Sequence, residues 1–369
     1  MLTQEENELL TQVGPGTPAG ELLRRYWHPI AVAEELTEER PTKFVRVLGE
    51  NLLLFRDKRG RAGLLADRCS HRGASLSYGR VEERGIACAY HGWLYDIEGN
   101  CLETPSEPPN SNFCLTVKHQ AYPVQKFIGL YWTANWFQAM ENSVDPAHLQ
   151  ILHQDTAMRA RKPASTTRGF IDDIEETEFC EVSYGIMKRR RYKRGVVDEH
   201  PLIFPNILRQ GDATQIRVPM DDTHTLIFFV HFIPGGNGGG DSEAEPEVLY
   251  MPPFKDPPKA LHPFARFRTD LVLAQDHMVW ETPGPIADRT RERLATSDRG
   301  IVMLREIMMR EVRKVAQGLD PMGVIRDPAQ DVMIDTKLAE SLEEMKARGQ
   351  PAGGQVTALT EAERALGRL

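Results

Sequence analysis

Two cysteine–histidine pairs, Cys69-Ser70-His71 and Cys88-Ala89-Tyr90-His91, stand sixteen residues apart in the stretch CSHRGASLSYGRVEERGIACAYHGW. They constrain the fold more tightly than any other feature of the chain. Thiolate and neutral imidazole are both good transition-metal ligands, so a shared site would force two distant loops together. The order and spacing suit two metals better than one. Each loop then gives one thiolate to one iron and one imidazole to the other, with inorganic sulfides between, which is the ligand set of a Rieske [2Fe-2S] centre. Gly73 and Gly92 come within two residues after the histidines and would let backbone amides approach the sulfides. A Cys2His2 zinc site uses the same ligand types. Against zinc, both pairs lie in a strand-rich segment, and the gap between them does not read as the helix of a finger.

The rest of the chain sets the frame. Its 369 residues suit two domains or one large one, and an apolar fraction of 41% is enough for a core. A net charge of −8 argues against a nucleic-acid partner. The opening MLTQEENELLTQVG carries acids and no apolar h-region, so no signal peptide is expected. The longest apolar run, LIFFVHFI at 226–233, is too short to span a bilayer as a helix. A soluble cytoplasmic protein is expected, without a membrane association. Five cysteines form no disulfide framework, and Cys101, Cys114 and Cys180 are expected to be ordinary buried thiols.

Helices are expected over 4–12 and 19–27, separated by GPGTP. From Lys43 the runs FVRVLG, NLLLFRD and GLLADR predict strands and hairpins, with β character to about Trp132. Helical spacing returns over 136–153. A second set of strands follows over 166–233, a flexible polar excursion over 235–247, and helices from Pro263 onward. The last are clearest in DRGIVMLREIMMREVRKV, with apolar residues at 301, 304, 308, 312 and 315. The basic run KRRRYKR at 188–194 reads as a solvated sheet edge that discourages edge pairing. A docking surface for an acidic reductase is the weaker alternative. Asn206, Arg209 and Arg217 could reach a carboxylated substrate, since Arg suits planar anions; none is singled out.

The opening MLTQEENELLTQVGPGTPAGELLRRYWHP, the local text HRGA and YHGW, and ENSVDPAHLQILH at 141–153 together carry a resemblance. The chain resembles the oxygenase α subunits of Rieske non-haem iron aromatic-ring oxygenases. It is most similar to the phthalate dioxygenase and dehydrodivanillate O-demethylase branch, over nearly its whole length. The three-residue step from Asn142 to Asp145 matches that branch.

A Rieske cluster only carries electrons and needs a sink. Two histidines and one carboxylate make the facial triad of non-haem iron(II) oxygenases. His148 and His153 would be the imidazoles. A spacing of five does not stack on an ideal helix, so a distorted or ending helix is expected there. For the carboxylate, spacing cannot choose among Asp270, Asp276, Glu281 and Asp288. AQDHMVWETPGPI resembles the family's QD-x4-E signature, which implies Asp276, with His277 a structural neighbour. A ligating histidine usually gives its other N–H to a carboxylate, a role open to Asp145. The resemblance further implies a homotrimer, or a stacked hexamer, in which Asp145 bridges His148 to the partner subunit's His91. It also implies Asn142 near the iron.

The fold class implied is α+β: an all-β Rieske domain followed by a catalytic domain with a large antiparallel sheet flanked by helices. The boundaries expected are 1–42 for a helical segment packing on the catalytic domain, 43–133 for the Rieske domain, and 134–369 for the catalytic domain. In the family a longer connection usually joins the two domains. Here Trp132 and Asn135 can be at most roughly 11 Å apart: either the connection is trimmed, or, as expected here, the sequence omits a segment at that point. The function implied is that of the terminal oxygenase of a multicomponent system. It would use O2 and electrons from an NAD(P)H-dependent reductase or a ferredoxin to oxidise a carboxylated aromatic substrate. Ring hydroxylation and O-demethylation share this machinery. A Rieske electron-transfer protein without oxygenase activity is the alternative. No nucleotide-binding glycine fingerprint and no plant-type cysteine cluster is visible, so the electrons must come from another chain.

Overall fold

A computed structural model of the chain describes residues 1–108, 110–125, 135–153, 174–193, 195, 197–210, 213–231, 254–256, 266–268 and 271–331. The short connection near 133, the glycine-rich excursion over 235–247 and the tail beyond 331 lie outside them. The chain forms two compact units, His28–Gly129 and Met1–Trp27 with Leu130–Leu369.

The first unit consists largely of two four-stranded antiparallel sheets. One runs in the order β1 (Thr42–Val47), β2 (Glu50–Arg56), β3 (Ala62–Ala66), β8 (Ala121–Tyr122). The other runs β4 (Arg80–Glu82), β5 (Gly85–Ala87), β6 (Leu94–Tyr95), β7 (Cys101–Glu103). The alternating runs read from Lys43 onward are thus hairpins, with Val47 paired to Glu50 across the turn Leu48-Gly49. Leu53, Phe55, Leu65, Ile86, Trp93 and Tyr95 form the core, and Cys69 and Cys88 belong to the same buried cluster.

The second unit is built on a six-stranded antiparallel meander, β14-β13-β12-β11-β10-β9. Its strands are β9 (Ile174–Val182), β10 (Gly185–Tyr192), β11 (Val197–Ile203), β12 (Ile207–Gln210), β13 (Ala213–Pro219) and β14 (Thr225–His231). Six described helices accompany it, of which the third packs on β13 and the sixth on β9. These are α1 (Gln4–Thr11), α2 (Pro18–Leu23), α3 (Trp136–Ser143), α4 (Ala147–Leu152), α5 (Val272–Glu281) and α6 (Arg299–Ala316). Residues 266–267, inside the stretch expected to be helical, instead pair as a short strand with 255–256. In α6 four of the five expected apolar positions, Leu304, Met308, Val312 and Val315, are buried, and Ile301 is half-buried. The N-terminal helices contact α6, and Leu10, Leu22 and Leu23 are fully buried.

A buried charge network fixes α3. Glu141 accepts from Arg289 at 2.7 Å and from Arg305 at 2.6 Å, and Arg289 also donates to Asn7 of α1 at 3.1 Å. Removing one partner from such a network costs far more than the network contributes. Three helices are therefore held in one register at the residue just before Asn142.

The basic run is not an edge. Strand β10 lies inside the sheet between β9 and β11, and β9 is the edge. Period-two alternation turns Lys188 and Arg190 inward, where both are buried, while Arg189 and Arg191 face solvent. Of the three spare cysteines only Cys101 is buried. Cys114 is half-buried and Cys180 is exposed on β9, contrary to expectation.

Candidate active site and cluster loops

The two cysteine–histidine loops are built alike. In each, the cysteine carbonyl accepts from the glycine four residues on, at 2.9 Å for Cys69 with Gly73 and 2.9 Å for Cys88 with Gly92. Gly73 and Gly92 have φ of 71° and 73°, the left-handed region that favours glycine. Their own amides are therefore committed to closing the loops rather than free for sulfide. Both cysteines are buried and adjacent, and the His71 and His91 rings lie 4.5 Å apart nearer the surface. Trp93 stacks on His71 at 4.4 Å, and the Tyr95 hydroxyl sits 3.2 Å from the Cys69 sulfur. Burial pushes the Cys69 thiol up, against the Tyr95 and His71 contacts. A metal would have to draw that proton off. Two buried sulfurs with two imidazoles at the outer edge fit a Rieske cluster.

Sequence analysis passed over His119. It is buried behind the first loop, with Nδ1 2.7 Å from Ser70 Oγ and Nε2 2.8 Å from the Ala66 carbonyl. Its sequence context carries no signal, since both partners are distant in the chain.

In the second unit, α3 ends at Ser143 and α4 begins after Pro146. Proline, lacking an N–H, opens a helix readily and does not continue one. Asp145 sits in the break, His148 in the first turn of α4, and His153 caps the end of α4. The five-residue spacing thus spans one short helix from start to stop. Helix α5 brings Asp276 to both. Its Oδ1 lies 3.3 Å from His153 Nε2 and 3.8 Å from His148 Nε2. One ligand atom from each of the three residues lies within 4.8 Å of the others. Among the described residues, His153 Nε2 and Asp276 Oδ1 are buried with no hydrogen-bond partner. Burying such atoms unpaired is costly, and a cation among them removes the cost. The donor set and its orphaned atoms fit a facial-triad iron.

The outer partners follow. His153 Nδ1 is 2.7 Å from Gln275 Oε1, a carbonyl oxygen, so the imidazole donates there and leaves Nε2 free. Asp276 holds the His153 pKa above its ordinary value, although burial opposes the charge. Asp145 Oδ2 is 3.5 Å from His148 Nδ1, a contact rather than a full hydrogen bond, and Oδ1 accepts from the Ala147 amide at 2.9 Å. Burial works against the Asp145 charge, but these groups outweigh it and its pKa falls. Gln275 was missed as a functional residue; only the fold shows which histidine it meets.

Asn142 lines the cavity with the three, as do Lys188, Arg217 and Trp280. Among the other acids considered, Glu281 is paired with Lys255 and Asp288 is exposed and caps Thr290; Asp270 lies outside the described residues. His277 is buried against Phe254 and Trp280. The Asn206 amide is committed to the Arg217 carbonyl, and Arg209 donates to Thr214. No helix among the described residues is long and apolar enough to cross a membrane.

Known proteins share this arrangement. Residues 26–126 match the Rieske [2Fe-2S] domain, and residues 269–337 match the family described as LigXa C-terminal domain like. The oxygenase subunit of 5,5'-dehydrodivanillate O-demethylase from Sphingobium sp. (strain NBRC 103272 / SYK-6) is 35% identical, over 89% of this chain and 85% of that one. The oxygenase subunit of phthalate 4,5-dioxygenase from Pseudomonas putida is 31% identical, over 88% and 89%. Among solved structures, NdmA of Pseudomonas putida CBB5 with caffeine superimposes with a TM-score of 0.58 at 18% identity, over 86% of this chain and 98% of that one. The terminal oxygenase of carbazole 1,9a-dioxygenase from Nocardioides aromaticivorans IC177 gives 0.55 at 18%, over 84% and 97%. These two show the fold. The chain belongs to the oxygenase subunits of the Rieske oxygenases. It is the terminal oxygenase of a multicomponent system rather than an electron carrier alone.

Proposed function

We propose that the chain oxidises a carboxylated aromatic compound at an iron(II) held by His148, His153 and Asp276. Cys69, His71, Cys88 and His91 would hold the [2Fe-2S] cluster. The observation that carries the reading is the convergence of three side chains, two of whose buried ligand atoms, His153 Nε2 and Asp276 Oδ1, have no hydrogen-bond partner among the described residues. Bound iron(II) would supply O2 activation, and the cluster one-electron transfer.

The protein's own groups do the rest. Gln275 holds the His153 proton on Nδ1, and Asp145 takes the corresponding position beside His148 Nδ1. Asn142 stands at the cavity wall beside them. The exposed edge of His71 and His91 is where a reductase or a ferredoxin would deliver electrons. In a homotrimer or stacked hexamer, Asp145 would link His148 to the partner subunit's His91. Both family outcomes consume O2, two electrons and two protons. Ring hydroxylation puts both oxygens on the arene. O-demethylation turns an aryl methyl ether into a phenol, formaldehyde and water. The 35% identical O-demethylase subunit favours the second outcome.

The reading is tested by reducing the protein chemically and exposing it to 18O2 with phthalate or dehydrodivanillate. Label in a ring diol from phthalate, or in formaldehyde trapped before it exchanges with water from dehydrodivanillate, lost in Asp276→Ala, is the expected result. Cluster reoxidation without labelled product from any aromatic acid would contradict it.

A further inference from the structure

Among the described residues, the wall of the cavity beside the proposed iron carries two buried cations and one carboxylate. Lys188 and Arg217 are 3% and 1% exposed, and both line it together with Asp276, the one acidic side chain on its described wall. The three arginines of β10 are paired residue by residue. Arg189 pairs with Glu199 and Glu178, Arg190 meets Asp198 at two points, and Arg191 pairs with Glu176. Lys188 instead stands opposite His200 and Phe179 across the ladder, and it donates to the Ser143 carbonyl at 3.1 Å. Arg217 donates to Gln215, Ser143 and Met140, all neutral, and its buried Nε has no partner. Among the described residues neither makes an ion pair. Burying one uncompensated cation is expensive. Two on one wall, next to a carboxylate already turned toward two histidines, call for an anion supplied from outside.

We propose that Lys188 and Arg217 form the subsite for a carboxylate group of the substrate. This rests on the oxygenase reading above and deepens it by naming the residues that choose the substrate class. Lys188 brings a point charge with donors to spare, and Arg217 brings its free Nε–H. Leu208, Leu273 and Trp280 on the same wall offer the ring an apolar surface. The carboxylate is thereby anchored on the β10–β13 side and the ring is aimed toward Asp276.

The test is equilibrium binding by calorimetry on iron-loaded protein, using benzoate and phthalate against benzamide and phthalamide. The acids are expected to bind at least about tenfold more tightly than the amides. Lys188→Met and Arg217→Gln should remove about that factor for the acids and leave the amides unchanged. Lys188→Arg should retain the preference, which covers the case in which the neutral variants fail to fold. Acids binding no better than amides in the wild type, including no binding of either, would overturn the proposal. So would a folded Lys188→Met that keeps the preference. Iron content is read on each preparation. Acid binding without the mononuclear iron would sink the oxygenase reading and spare the subsite; iron without acid preference would do the reverse.

Discussion

Replacing Gln275 by leucine isolates the support of the proposed iron site from its proposed ligands. Gln275 and His153 are both buried, and their 2.7 Å bond is the one hydrogen bond of the imidazole Nδ1. Leucine keeps much of the volume and removes the acceptor. The stranded Nδ1–H costs about 1–3 kcal/mol, which corresponds to roughly 5- to 150-fold in an equilibrium constant. Loss of an outer partner of a metal ligand typically costs about 10–100-fold in affinity, and the two estimates agree. Iron(II) affinity measured by chelator competition should therefore fall about 10–100-fold. The cluster spectrum, which reports on the other unit, should not change. Gln275→Glu keeps an acceptor and should bind iron at least as well as the wild type. A Gln275→Leu protein that binds iron(II) with wild-type affinity would refute the reasoning.

Other consequences follow from the same geometry. Burial first, then the Arg190 and Arg217 charges, push the Lys188 pKa down to about 7, with Asp198 and Asp145 opposing and His200 neutral beside them. The charged form exists below that value, so affinity for an aromatic carboxylate should fall as pH rises above about 7 while affinity for the amide stays flat. An identical profile for both would contradict this. Tyr95→Phe removes a donor to the Cys69 sulfur, which stabilises the reduced cluster more than the oxidised one. The potential should drop by about 60 mV per 1.4 kcal/mol of differential stabilisation, checked by redox titration. Glu141→Gln leaves Arg289 and Arg305 buried without their shared counter-charge and should destabilise the protein by about 3–5 kcal/mol, checked by denaturant unfolding.

What was legible in the sequence was local. The cluster loops announce themselves because both ligand pairs and both glycines fall within one short stretch. His148 and His153 are legible for the same reason, and Pro146 marks where the helix must restart. Asp276 lies more than a hundred residues away; the residue pattern alone could not choose it, and the family text did. His119 stayed silent because its role is a contact between distant segments; Gln275 stands in the QD signature, but only the fold shows that it meets His153. The basic run was misread because charge was weighed without register. Acids in IEETEFCEV and VDEHPLI sit opposite the arginines on both neighbouring strands, so the run can lie inside the sheet. Lys188, with no acid opposite it on either neighbouring strand, reaches the cavity.

The decisive measurement is iron and acid-labile sulfide per chain, with the EPR spectrum of the reduced protein, for the wild type and for Asp276→Ala. A Rieske cluster plus one mononuclear iron predicts three irons and two sulfides in the wild type. The variant should hold two of each with an unchanged Rieske signal. A wild type with only two irons that takes up no added iron(II), or a variant that keeps its third iron, would contradict the assignment of His148, His153 and Asp276 as the oxygenase site.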